Sequence, residues 1–480
     1  MLFYFNQGLS LRIQSVDQGI LYKNLPITAE AMILPRGTYE MLIEIQPILN
    51  RILLNMSRDL NFIETVLKNC DSFTKNLLNL HRSLLAEKPY GISSIAELGV
   101  FRIDYIIIND GKYPKQVEIN TIAAGLAGIM PSVVNFHKYV NELQNKTIKY
   151  FNKLNDYNPP EMNRHLPMPE ALARSHHFYN QNKTMLNENS SSNVKTGILF
   201  VVEDFVVNIF DHKTIEMHES LNNIPVYRRI FRTLDNDCLR LGPNRELFLH
   251  TESNSHVEIS VVYFRTTYDP KDYDFKGSWK IRALIERSRA IKCPSLAFQL
   301  VGAKIFQTFL VKPKILKQFL SPDDQKHKKQ ILDTFVRFYP INDEILRIIK
   351  QNGSQNYVLK QNREGGGYNF FGNEIVPKII QILQTGSQEE YFLMDYINQK
   401  PEVGYVIGQK NRPLASQKSE NNNNLLNTEL GIFGSILATP TGNEIFNSEC
   451  SYLLRVKPLG CNELGIMSGQ GAVSSLNLID

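Results

Sequence analysis

Lys360-Gln-Asn-Arg-Glu-Gly-Gly-Gly-Tyr-Asn369 carries the most informative chemistry in this chain. Three consecutive glycines, Gly365, Gly366 and Gly367, free the backbone to turn its N–H groups onto phosphate oxygens. Lys360, just upstream, supplies positive charge, and Glu364 offers a carboxylate to a metal held beside the same phosphates. A tight hairpin turn would also use glycine, but three in a row exceed its need, and the flanking Lys and Glu favour phosphate binding. The P-loop pattern, a spaced glycine pair followed by lysine and a hydroxyl residue, is absent.

A second set lies in Lys115-Gln-Val-Glu-Ile-Asn120, where strand alternation lines up Gln116, Glu118 and Asn120 opposite Val117 and Ile119. A carboxylate beside an amide oxygen is a hard donor pair suited to magnesium, although a solvent-facing strand would carry the same residues. Arg265 ends the apolar run Ile259–Arg265, where its guanidinium can meet a carboxylate in a two-pronged contact; an ordinary surface arginine looks the same. Arg455 and Lys457 alternate on one strand face, followed by a second glycine-spaced loop, Gly465-Ile-Met-Ser-Gly-Gln-Gly471. Two glycine loops with separated basic residues suit a site that closes over a nucleotide and an anionic substrate. The sequence holds neither a Ser-His-Asp or Cys-His arrangement nor a dinucleotide-binding glycine fingerprint after a strand, so hydrolase and dehydrogenase chemistry rank low.

The elements that must position these groups are partly legible. Between Tyr39 and Leu85 apolar residues recur at three and four, which predicts amphipathic helices. Asp104 to Asn120 reads as a hairpin around Asp110-Gly111. Gly197–Glu203 and Ile259–Arg265 read as strands buried on both faces. Ser278–Ile291 and Leu296–Leu310 are expected to be helices, and Tyr357–Gln361, Tyr391–Ile397 and Glu429–Leu437 strands. Gln181–Lys195 and Gln409–Asn424 are polar enough to be surface loops. Three regions follow: a helical scaffold with the metal-binding hairpin over 1–195, an α/β substrate lobe over 196–300, and a nucleotide region over 301–480. The last would include a lid at about 335–415 and a substrate loop at about 458–475.

With 480 residues and 42% hydrophobic content the chain can bury a large core. Its 53 Lys+Arg against 48 Asp+Glu leave +5, unclustered, which argues against nucleic acid as a partner. Five scattered cysteines lack metal-ligand spacing and suit a reducing compartment. No apolar stretch is long enough for a bilayer, and Met-Leu-Phe-Tyr-Phe-Asn is not a signal peptide as it stands. A cytoplasmic location is expected, or a secreted one had a leader been removed.

Taken together, Lys115–Ile122, Asn208-Ile-Phe-Asp211, Val261–Arg265, Ala290-Ile-Lys-Cys-Pro294, Lys360 with Arg363–Gly367, Glu429-Leu-Gly-Ile-Phe-Gly434 and Leu453-Leu-Arg455 resemble the eukaryotic glutathione synthetase family, in that family's order. The resemblance implies an α/β ATP-grasp fold with an inserted substrate-binding lobe and a lid, usually a homodimer. Its members join γ-glutamylcysteine to glycine using ATP and magnesium, so the expected substrates are a γ-glutamyl dipeptide and a small amino acid acceptor. Carried across, Glu118, Asn120 and Glu364 would hold magnesium. Lys304, Lys360, Gly365–Gly367 and Asn369 would meet ATP phosphates, the strand Met394-Asp395-Tyr396-Ile397 the adenine, Glu429 the ribose, and Lys457 the far side of the nucleotide. Arg102, Asn208, Arg265, Tyr268 and Arg455 would bind the peptide, with Arg102, Lys304, Lys360 and Arg455 supplying charge to catalysis.

Departures from that pattern cluster on the peptide side. Ala123 and Gly125 stand where the family has hydroxyls, and His212 stands where a glutamine touches the γ-glutamyl group, with a charge able to change near neutral pH. Glu463-Leu-Gly-Ile-Met-Ser-Gly469 replaces Glu-Gly-Gly-Val-Ala-Ala-Gly, which sets Ile466 and Met467 against the acceptor. Asp395-Tyr396 replaces a usual Glu-Lys. The pattern fits a ligase with altered substrate choice; a binding or effector protein with weak catalysis is the alternative from another class.

Overall fold

The computed structural model describes residues 8–15, 19–87, 94–108, 113–147, 157–160, 167–183, 195–251, 255–362, 369–407, 425–461, 465–466 and 471–480. Glu364, Gly365–Gly367 and Met467 therefore lie outside the described residues, as do the loop 408–424, the hairpin turn 109–112 and most of the polar loop 181–195.

The spine is a mixed sheet of 14 strands. Its centre is antiparallel: Leu425–Ala438 lies between Glu444–Pro458 on one side and Glu97–Ile108 on the other. Tyr113–Asn120 folds back on Glu97–Ile108 as the expected hairpin, although its first strand begins seven residues before Asp104. Beyond it the sheet becomes parallel through Ile291–Cys293, His256–Phe264 and Thr196–Val202, whose side chains are buried nearly throughout. That is why residues 198–202 and 261–264 carry no polar alternation.

Helix Arg36–Arg58 covers the sheet with an apolar stripe that includes Leu42, Ile45, Leu49, Ile52 and Leu53, and a second helix, Ser72–Ala86, packs on helices Ser278–Arg287 and Leu296–Val301. Asp71 caps the second, accepting from the backbone N–H groups of Phe73 and Thr74. The expected single helix over 296–310 is two, Leu296–Val301 and Ile305–Leu310. Asn362 Oδ1 accepts from Ile305 N at 2.7 Å, and this break sets Lys304 at the head of the second helix.

A smaller antiparallel sheet joins Phe338–Pro340, Tyr391–Asp395, Tyr357–Gln361 and Phe370–Phe371 in that order. Helices Asp343–Asn352 and Ile375–Thr385 pack on it through Ile345, Ile349, Ile375, Ile379 and Ile382, a core distinct from the main one. Among the described residues, no helix is long and apolar enough to cross a membrane.

Candidate active site

The two sheets face one another across a cavity of about 650 Å³. Cross-strand register supplies its floor: Arg102 opposes Asn120, Asp104 opposes Glu118, and Glu429 opposes Arg455. Gly431 opposes Asp104, and a Cβ there would lie 2.5 Å from Asp104 Oδ1 and 2.7 Å from Arg102 Cδ. Glycine is thus what lets these two side chains lie flat on the sheet.

Asp104, fully buried, is the hub, and reading by family role missed it. Its carboxylate accepts from Arg102 Nε at 2.7 Å and Nη2 at 2.9 Å, from Asn120 Nδ2 at 3.0 Å and from Arg455 Nη2 at 3.0 Å. The available signal was its spacing of two from Arg102 on one strand face.

At one end, Lys304 Nζ sits 3.0 Å from Glu118 Oε1, and Lys360 Nζ donates to Val117 O at 2.9 Å. Burial by itself would raise the Glu118 carboxyl, but Lys304 and Lys360 outweigh it and hold the group at about 2. Burial lowers Lys360 to about 8, against the attraction of Glu118 and with the repulsion of Lys304. Burial raises Glu429 despite its contact with Arg455 Nη2. Asn369, Met394, Tyr396, Ile397, Glu429 and Lys457 also line the cavity. Asp395 does not: strand alternation turns it away, and it accepts from Tyr339 Oη at 2.9 Å. Sequence reading also missed the apolar walls, Ile106 and Val117 from the large sheet and Val358 and its cross-strand partner Phe371 from the small sheet. Gln399 went unnoticed too; its amide bonds Ile107 O, Thr428 Oγ1 and Thr428 N, tying the segment after Ile397 to the central strand.

The other end is formed by Arg102, Ala123, Gly125, Asn208, His212, Arg265, Tyr268 and Ile466. Here Asp211, in the first turn of helix Ile209–Glu216, accepts from Leu126 N at 2.9 Å and Gly128 N at 2.7 Å and pins the loop after the hairpin. Ala123 and Leu126 in that loop have φ of 52° and 74°, strain that these bonds maintain. Arg265 donates Nε–H to His212 Nε2, Nη1–H to Ala124 O and Tyr263 Oη, and Nη2–H to Asp211 Oδ2.

Three expectations are corrected. A bulge between Asp104 and Tyr105 shifts the register, so Gln116 opposes Tyr105 and lies on the face away from Glu118 and Asn120. His212 is not poised to change charge near neutral pH: burial first, then Arg265 and Arg228, keep it neutral far below its usual range. Arg265 has four of its five donors committed to the protein, so no two-pronged contact with a ligand is left to it.

The donor set fits magnesium. Glu118 is ionised and lines the cavity, and Asn120 spends its amide hydrogens on Arg102 O and Asp104 Oδ2, which leaves Oδ1 as an oxygen donor. No group of three or more metal-ligating side chains occurs among the described residues, and Glu364 lies outside them.

The family model for the ATP-binding domain of eukaryotic glutathione synthase matches residues 2–478. Glutathione synthetase from Dictyostelium discoideum is 31% identical over 441 residues, 89% of this chain and 85% of that protein. The glutathione synthetase large chain of Schizosaccharomyces pombe is 29% identical over 479 residues, covering 95% and 91%. Among solved structures, a glutathione synthetase-like effector from Globodera pallida in its apo form superposes with a TM-score of 0.71 at 20% identity, over 99% of this chain and 94% of that one, a likeness of fold.

Proposed function

Because the chain belongs to the eukaryotic glutathione synthetase family, we propose that it is an ADP-forming ligase joining γ-glutamylcysteine, or a related γ-glutamyl dipeptide, to glycine or another small amino acid. The observation that carries this reading is one cavity lined at one end by Glu118, Lys304, Lys360 and Glu429 and at the other by Arg102, Asn208 and Arg265. It has room for a nucleoside triphosphate meeting a small peptide.

The substrate carboxylate takes the γ-phosphoryl group from ATP, forming an acyl phosphate and releasing ADP. The acceptor amine then attacks the acyl carbon, forming the amide and releasing phosphate and a proton. Both steps gather negative charge, so catalysis rests on position and electrostatics rather than on a protein nucleophile. Lys304 and Lys360 neutralise the phosphates, Arg102 and Arg455, held by Asp104, face the reacting carboxylate, and Glu118, Asn120 and Glu364 would hold magnesium. When bound, the metal polarises the phosphoryl oxygens. The apolar walls and Met394–Ile397 take the adenine, Glu429 the ribose and Lys457 the outer phosphates, with Gly365–Gly367 and Asn369 closing over them. The small-sheet unit within about 335–415 acts as the lid and the loop at about 458–475, including Ile466 and Met467, closes over the acceptor, excluding water that would hydrolyse the acyl phosphate.

Exposed Ile20 and Tyr22 on Gly19–Asn24, which pairs only with Ser10–Ser15 among the described residues, support a homodimer. Cys70, Cys238 and Cys461, which form no disulfide among the described residues, support a reducing, cytoplasmic location. The test is ADP release that depends on γ-glutamylcysteine, with the product mass identified across a panel of acceptor amino acids. ATP turnover indifferent to every γ-glutamyl dipeptide would instead support the binding or effector alternative.

A further inference from the structure

The peptide-facing end of the cavity holds one charge that the nucleotide chemistry does not use. Its two arginines are largely spent on the protein. Arg265 keeps a single N–H after serving His212, Ala124 O, Tyr263 and Asp211. Arg102 gives Nε and Nη2 to Asp104 and Nη1 to Gly125 O. Asp211 balances the first charge, and Asp104, shared with Arg455, balances the second.

His212 adds no charge, because burial and the two arginines around it keep it neutral. Tyr268 stays a neutral phenol, its hydroxyl pushed up by burial and by Glu203 and Asp272. Glu203 differs from all of these. It follows directly on strand Thr196–Val202, whose end carries it into the cavity wall, half-buried. Among the described residues its carboxylate makes no hydrogen bond and no ion pair, whereas its neighbour Asp204 is engaged with Arg232 on the surface. Burial and Asp272 push this half-buried carboxyl up against the weaker pull of Arg265 and Lys271, so a further cation brought beside it in the cavity is stabilising.

We propose that Glu203 is the residue that reads the substrate's ammonium group, the α-amine of the γ-glutamyl end. The inference rests on the ligase reading above and deepens it. A charge-assisted contact from the ammonium to Glu203 would leave Arg265's remaining N–H and the second amide hydrogen of Asn208, whose first goes to Asp211 Oδ2, for the adjoining α-carboxylate. The subsite therefore selects a zwitterionic amino-acid end and rejects a plain dicarboxylate, whose extra negative charge would meet Glu203 unpaired.

Calorimetric titration of the full chain with γ-glutamylcysteine and with glutarylcysteine, which lacks only the α-amine, tests this. The wild type should bind the first about 10-fold or more tightly than the second. Glu203→Gln should erase most of that difference while ATP affinity stays within about twofold. Glu203→Asp, which keeps the charge, should retain part of it, separating lost charge from a disturbed strand end. Full discrimination in Glu203→Gln overturns the assignment and leaves the ligase reading standing. Binding of neither dipeptide by the wild type overturns the ligase reading, and this inference with it.

Discussion

Lys304 Nζ lies 3.0 Å from Glu118 Oε1, so the cation proposed for phosphate and the carboxylate proposed for metal neutralise each other. Binding must exchange these partners, which gives each residue a role in stability as well as in turnover.

Glu118→Ala should abolish ligase turnover by removing a metal ligand. It should also lower the melting temperature, because Lys304 and Lys360, both buried, lose their counter-charge, at a cost of about 1–3 kcal/mol. Lys360 titrates at about 8 when folded, below its ordinary value, so between those limits the unfolded chain binds more protons and stability rises with pH. The deficit of Glu118→Ala should therefore shrink in melts taken above pH 8. A melting temperature equal to wild type at pH 7 would show that the pair contributes nothing.

Nucleotide binding should take up a proton above pH 8. Phosphate contact returns Lys360 toward its ordinary range, so ATP affinity falls as pH rises through 8 and beyond. Calorimetry in two buffers of different ionisation enthalpy measures the uptake, and Lys360→Met should remove it. Uptake unchanged in that variant would assign the proton to another group.

Asp104→Asn should be among the most damaging single changes in the cavity. It places an amide against three donor groups, leaves Arg102 and Arg455 undercompensated, and should cost about 3–5 kcal/mol. The KM values for ATP and for dipeptide should rise together. Asp395→Asn, whose side chain bonds Tyr339 instead, should leave the ATP KM within about twofold.

Arg265→Lys should raise the dipeptide KM about 10-fold or more and also lower the melting temperature, since lysine cannot serve Ala124 O, Tyr263, His212 and Asp211 at once. The ATP KM should not move. An unchanged melting temperature would return Arg265 to a purely ligand-facing role.

Ala123→Ser with Gly125→Ser should increase kcat/KM for γ-glutamylcysteine plus glycine about fivefold, the worth of a hydrogen bond near 1 kcal/mol. A Cβ at position 125 would stand 3.2 Å from Asn208 Nδ2 and 3.3 Å from Arg265 Nη2, so those side chains must yield slightly to seat the new hydroxyl. A fall in turnover would mean that they cannot.

The family, the ATP-facing chemistry and most strands were legible in residue order alone. Buried parallel strands announce themselves as apolar runs, and Lys360, Glu118 and Glu429 sit in short segments whose residue types suit only a few tasks. Sequence also held Asp104 in plain view two residues from Arg102, without showing that four donor atoms converge on it. Only the tertiary structure decided which polar residues share a face, because a bulge at Asp104/Tyr105 reverses Gln116 while leaving Glu118 in place. Only it decided which charges are free, since the residue types of Arg265, His212 and Glu203 do not tell what neighbours packing brings to each. Donors and charge are local properties of a residue; their remaining capacity is set by contacts between residues far apart in the chain.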